Sequence, residues 1–413
     1  METQYLYPKN PKKIKYPIYS SFWSISDHVF FLKSVYRPND SNLKKSLQDF
    51  YPDAEIILTN SGTSALVVGL KYLKVAKGDE VILSNFNCPN VIEAILTVGA
   101  KPVLIDLNTN HSISLNKIKK HLNANTKAII LTHLYGCHDD LEIIDWAREN
   151  NIYIIDDAAQ AMFSYQNGKP VGSLGDIGIL SFGGTKPIPS IGGGALLLNR
   201  TISELCDMDE EKKEEVILDY KNHLKTQLAI RIKKSRVLSL FTNYWRKLEI
   251  LPSYNNSKLD SLPEKTEVIN PKRMSIVRSL LIDKHLQKTK KILEINICNA
   301  SLCYTMLQEI EEKYDVKIIF SAQNVYLNYF TIIFKEPSDR YECSIHLAEK
   351  GIQTCWNYLP LSEIPIFSKY ATESENIDYL WPRVLSIPFK HPLVNKDLKY
   401  ICSQILKYLD NKN

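Results

Sequence analysis

Between residues 55 and 200 the chain alternates short, almost wholly apolar runs with longer amphipathic stretches. The runs are EIIL (55–58), EVILS (80–84), PVLID (102–106), KAIILT (127–132), IYIID (152–156), IGILSF (177–182) and GALLL (194–198). Strands apolar on both faces, separated by segments mostly long enough for a crossover helix, predict a mostly parallel sheet with helices on both sides. Seven such strands make one α/β lobe. The last two are joined by GGTKPIPSIGGG, too rich in glycine and proline for a helix. Beyond residue 200 the pattern changes. Residues 203–225 read as a charged helix, 273–313 as a long helix, and 314–413 as short strands mixed with helices. The division expected is a large domain over 1–270, whose 200–270 part is an atypical basic link, and a small C-terminal α+β domain over 271–413.

Composition sets bounds. A chain of 413 residues, 44% hydrophobic and 23% charged, can bury a sizeable core. A net charge of +5 falls well short of a nucleic-acid binder, so no such partner is expected. The start, METQYLYPKNPKKIKYP, lacks the apolar region of a secretion signal, and no apolar run has the length of a bilayer. The eight cysteines are scattered, with no C-x-x-C and no Cys/His cluster. Neither a metal site nor a disulfide framework is expected, and the cytoplasm is the expected location. Residues 221–247 carry Lys221, Lys225, Arg231, Lys233, Lys234, Arg236, Arg246 and Lys247 with no acid. The first reading is a solvated helix whose apolar side packs on protein; contact with an anionic membrane surface is the second.

Candidate chemistry gathers at the loops after the strands, the edge where open α/β sheets bind ligands. Gly62, Thr63 and Ser64 follow the first strand and open a helix. Their amides could hold a phosphate, or the serine and threonine could simply cap the helix. Asp156-Asp157-Ala158-Ala159-Gln160 ends the fifth strand, where a carboxylate could pair with a pyridine nitrogen or cap a helix. Lys186 follows the sixth strand in a loop of small residues. By itself, such a lysine is ordinarily solvated surface.

Taken in order, SGT…GDEVI…GAKPV…TKAI…HLYG…DDAAQA…GSxGD…SFxxTK…GGG closely resembles the DegT-type family of pyridoxal-phosphate (PLP) enzymes, of fold type I. The resemblance is dense from about 55 to 200. It resumes at Arg273-Met274-Ser275, at GIQTCWNYLPL and at LSIPFKHPLVNKDL. It implies PLP as cofactor, with Lys186 as the Schiff-base lysine and Asp157 as the partner of the pyridine nitrogen. Gln160 would lie beside the phenolic oxygen and Ser181 on the phosphate, with Gly62, Thr63 and Ser64 as the backbone cradle. His133 matches a histidine near the cofactor, with a buried, hydrogen-bonded structural histidine as the equal alternative. Arg273 and Tyr358 are the candidates on the substrate side. The implied activity is transfer of an amino group from an amino acid, glutamate in the family, to a keto acceptor such as a nucleotide-linked keto-sugar. A homodimer whose sites borrow residues from the neighbouring subunit is implied too.

The chain departs from the family on the substrate side. Cys88 stands where an aromatic residue stacks on the ring, with Phe86 two residues away as a possible substitute; Gly192 replaces a glutamate and Ser362 a histidine. These departures motivate a PLP enzyme of elimination, substitution or condensation as the alternative activity, and a non-catalytic sensor or scaffold as the third. Retention of the lysine disfavours the family's sugar dehydratases, which carry histidine there.

Overall fold

The computed structural model describes residues 8–9, 11–18, 23–108, 112–137, 140–235, 265–320 and 326–412. Its strands are β1 (Glu55–Thr59), β2 (Glu80–Ser84), β3 (Lys101–Ile105), β4 (Thr126–Leu131), β5 (Tyr153–Asp157), the small hairpin β6 (Tyr165–Gln166) and β7 (Lys169–Pro170), β8 (Ile177–Ser181), β9 (Gly194–Leu198), β10 (Asp209–Glu210) and β11 (Lys272–Arg273). The main sheet has the order β10-β11-β1-β9-β8-β5-β4-β2-β3. All seven strands read from the sequence are present in it, and two-residue strands extend its edge. β9 runs antiparallel to both β1 and β8, whereas β8, β5, β4, β2 and β3 pair in parallel. The carboxyl ends of β1, β2, β4, β5 and β8 therefore share one edge.

The helices are α1 (Ile25–Tyr36), α2 (Leu43–Gln48), α3 (Gly62–Tyr72), α4 (Pro89–Thr97), α5 (Leu115–His121), α6 (Glu142–Glu149), α7 (Lys213–Lys234), α8 (Ile276–Leu307), α9 (Ile310–Tyr314), α10 (Pro337–Glu349), α11 (Glu375–Leu380) and α12 (Asn395–Lys412). Alternation along each strand decides which face is covered by what. Val81 and Leu83 of β2 pack with Leu66, Leu70 and Ile92 of α3 and α4. Ile82 between them packs on the opposite side with Ile118 and Ile143 of α5 and α6. A second, antiparallel sheet of β12 (Lys317–Ile319), β13 (Phe330–Ile333) and β14 (Val384–Ile387) shares its core with Leu347 of α10 and Leu398, Ile401 and Ile405 of α12.

The helix expected from residue 203 begins only at Lys213. Glu211 is the reason. It is buried and accepts Arg278 Nε at 3.0 Å, Arg278 Nη2 at 2.6 Å and the Ser275 amide at 3.1 Å. Those bonds hold the segment extended beside β11. Within the basic stretch, the described part is the end of α7, where Ile232 is buried. Arg236, Arg246 and Lys247 lie outside the described residues.

Candidate active site

β5 ends in two adjacent aspartates that alternation sends in different directions. Asp156 is fully buried. Its Oδ1 meets His133 Nε2 at 2.7 Å, while Oδ2 accepts the Gly172 and Leu174 amides at 2.7 and 2.8 Å. It thus ties β5 to the loop after β4 and to the turn before β8. Asp157 has a different position: one oxygen accepts the Ala159 amide at 3.0 Å, and its carboxylate makes no other hydrogen bond among the described residues. Burial raises its pKa, and the charge of Lys186 acts in the opposite sense.

Lys186 sits five residues past β8, where its amide donates to Gly183 O at 3.0 Å. Its amine makes no hydrogen bond or ion pair among the described residues, yet its charge acts on Asp157, Cys88 and Lys390. Gln160 closes the far side. Its Oε1 accepts the Tyr135 amide at 3.1 Å and its Nε2 donates to Tyr358 Oη at 3.0 Å.

At the start of α3 the capping reading is met. Ser61 caps the helix, its Oγ accepting the Ser64 amide at 3.0 Å, so Ser64 is committed to the cap. The Thr63 amide ahead of it makes no hydrogen bond among the described residues. Gly62 faces the end of β8 so closely that a Cβ there would stand 3.0 Å from Ser181 Oγ. An amide, a helix amino terminus and a hydroxyl thus converge around a glycine, an arrangement suited to an anion.

The loop after β2 supplies Cys88, the N-cap residue of α4. Burial raises its thiol pKa, with the charge of Lys186 pulling it down and that of Asp157 pushing it up. Phe86 does not substitute for the missing aromatic. It is 1% exposed and packs in the core, edge-on to Tyr135 with ring centroids 6.5 Å apart. Asn85 links this loop to Ser362: its Oδ1 accepts the Ser362 amide and its Nδ2 donates to Ser362 Oγ, both at 2.8 Å.

Of the remaining candidates, Tyr358 joins the cluster through Gln160. His133 is 1% exposed and bound to Asp156, as the structural alternative expected. Arg273 stands half-exposed on β11, 3.6 Å from Glu210, and no described contact connects it to Lys186. Sequence reasoning missed the small-lobe side. The Asn328 amide donates to Tyr135 O at 2.7 Å, Asn357 Nδ2 to Tyr329 Oη at 3.0 Å, and Lys390 Nζ to Asn328 Oδ1 at 2.8 Å. The one signal was Lys390 itself, inside LSIPFKHPLVNKDL, a segment noted for resemblance with its lysine left unexplained.

Comparison with known proteins shows the family and the fold. A model of the DegT/DnrJ/EryC1/StrS aminotransferase family matches residues 34–215 and 244–406. GDP-perosamine synthase of Escherichia coli O157:H7 is 27% identical over 359 residues, 86% of this chain and 85% of that protein. The dTDP-3-amino-3,6-dideoxy-alpha-D-galactopyranose transaminase of Aneurinibacillus thermoaerophilus is 28% identical over 355 residues, 84% of each chain. Among solved structures, Helicobacter pylori PseC, an aminotransferase involved in the biosynthesis of pseudoaminic acid, has a TM-score of 0.72 at 16% identity, covering 96% of this chain and 99% of its own. The Bacillus subtilis structure of ntda with bound cofactor PMP has a TM-score of 0.69 at 19% identity, covering 96% of this chain and 87% of its own. At these identities the structures establish the fold.

Proposed function

The chain belongs to the DegT/DnrJ/EryC1/StrS aminotransferase family and is a PLP-dependent aminotransferase, and we propose that it carries an amino group from glutamate to the carbonyl of a nucleotide-linked keto-sugar. Both relatives aligned over most of their length bear names of nucleotide-sugar enzymes, a synthase of GDP-perosamine and a transaminase of a dTDP-amino sugar. The observation that carries the reading is a lysine amine with no hydrogen bond among the described residues, whose charge acts on a buried carboxylate that keeps one oxygen open.

These residues fit PLP. When bound, it supplies an electron sink for the pair of electrons left at the substrate carbon as a proton departs. The Lys186 amine would hold the cofactor and, once released, carry that proton as base and then acid. Asp157 would present its open oxygen to the pyridine nitrogen and keep a proton there. A cationic ring nitrogen would offset the burial that raises the aspartate's pKa. Thr63 and Ser181 would take the phosphate over Gly62. Gln160, fixed by Tyr135 and Tyr358, would orient the phenolic oxygen. His133 would act through Asp156, positioning the end of β5. We also propose a cytoplasmic homodimer, consistent with eight cysteines that are all free and with the exposed apolar face of α1.

The decisive measurement follows the cofactor spectrum of the PLP-loaded protein. Glutamate is expected to convert it to the pyridoxamine form, and keto-sugar nucleotides to reverse this. Lys186→Ala should slow conversion on the order of a thousandfold. If no donor in an amino-acid panel gives the pyridoxamine form, amino transfer from an amino acid is wrong.

A further inference from the structure

Lys390, like Lys186, makes no ion pair among the described residues. Lys390 follows β14 in the small lobe and is partly buried. Its Nζ donates to Asn328 Oδ1 at 2.8 Å and lies 5.6 and 5.7 Å from the ring centroids of Tyr326 and Tyr329. The residues that hold it are themselves fixed, Asn328 by Tyr135 and Tyr329 by Asn357. Among the described residues no carboxylate lies within ion-pair distance of this amine. The charge that acts on it most is of the same sign, Lys186, with the Cys355 thiol working weakly the other way. Two other enclosed cations do have carboxylate partners: Arg278 has Glu211 and Asp219, and Lys117 has Asp106. An ammonium withdrawn from water beside a second amine, with a single neutral acceptor, gains from an anion that arrives with the ligand.

We propose that Lys390 is the carboxylate-recognition residue of this site, pairing with a carboxylate carried by the amino donor or by the acceptor. Asn328 and the Tyr326 and Tyr329 rings set the direction in which the amine points. The proposal rests on the site being the place of amino transfer. It does not require turnover, so it can fail independently. It also predicts a pH dependence. Burial, reinforced by the Lys186 amine while that amine is free of cofactor, lowers the Lys390 amine to about 7. Only the ammonium form attracts a carboxylate, so below pH 7 the residue is ready to bind. Above it, binding must take up a proton and weakens about tenfold per pH unit.

The test uses the full chain loaded with PLP and two unreactive probes, glutarate for a donor carboxylate and glucuronate for a sugar carboxylate. Binding is read calorimetrically in buffers of different ionisation heat and through the cofactor spectrum. Wild-type protein is expected to bind one of them with proton uptake that grows from pH 6 to pH 8. Which probe binds identifies the source of the carboxylate. Lys390→Met should weaken that probe at least tenfold and abolish the uptake. Lys390→Arg should keep the binding and lose its dependence on pH. An unchanged cofactor spectrum in both variants confirms an intact pocket. Probe binding in Lys390→Met with wild-type affinity and proton uptake overturns the proposal, as does failure of wild-type protein to bind either probe.

Discussion

At Gly62 a methyl group would come 2.8 Å from Ser181 Cβ and 3.0 Å from its Oγ. Ser181 ends a strand paired on both sides, so it has little room to retreat, and an alanine would fill the space where the anion belongs. Gly62→Ala is therefore expected to weaken PLP binding by apoprotein at least about tenfold, or ~1.4 kcal/mol. Inorganic phosphate, as a competing ligand, should lose affinity in parallel. A PLP titration that superimposes on wild type would remove Gly62 from the cradle. Lys186, Asp157 and Gln160 were legible as candidates because each stands in a short motif at or just past the end of a strand. What the motifs could not separate were residues that differ only in direction. Residue type alone leaves Asp156 and Asp157 equivalent, and only the family resemblance singled out Asp157; in the fold one is consumed by His133 and two amides and the other keeps an oxygen open. Lys390 escaped because its significance comes from Asn328 and Lys186, positions 62 and 204 residues away that only folding brings near.

Among the elements, the seven long strands were readable because each is buried on both faces and so carries an unbroken apolar run. The start of α7 was not, since Glu211 is held out of the helix by Arg278, 67 residues later. The same long-range packing creates a seam where α1, α7 and α8 meet. The ring of Trp23 lies 4.4 Å from His223 and 5.2 Å from His285, centroid to centroid. Burial lowers both imidazoles to about 4. For His285, Asp27 acts against that shift while Lys288 and Lys284 add to it; for His223, His28 adds to it. A histidine whose folded pKa lies below its unfolded value near 6.5 binds more protons when unfolded. Its neutral form supports the fold fully above 6.5, and that support is lost as pH falls from 6.5 toward 4. For His285 the loss amounts to about 2 kcal/mol by pH 5. Urea unfolding at pH 7.5 and pH 5 should show it, and His285→Leu should shrink the difference by about that amount. A pH difference unaltered in the leucine variant would assign the acid sensitivity elsewhere.

For the molecule as a whole, α1 poses a problem of cover. Phe31 and Val35 bury one side of it against Tyr220 and Leu281. On the other side Ile25, Val29, Leu32 and Tyr36 are 81%, 46%, 49% and 81% exposed, at helical spacings of four, three and four. Single exposed apolar residues are ordinary, but a continuous stripe opposite an already buried face marks a surface that something covers. Leu218, Leu224 and Leu228 of α7 add to the apolar surface left uncovered among the described residues. In the homodimer we propose, a second copy supplies that cover. Ile25→Asp combined with Leu32→Asp leaves the buried side of α1 untouched and places two charges where the copies would meet. Light scattering of the purified double variant should then report a monomer where wild type gives a dimer. If the site also draws on the neighbouring subunit, PLP affinity should fall with the dimer and recover as protein concentration is raised. A double variant that stays dimeric would exclude this stripe as the interface. A monomer with undiminished PLP affinity would show instead that each subunit completes its own cofactor site.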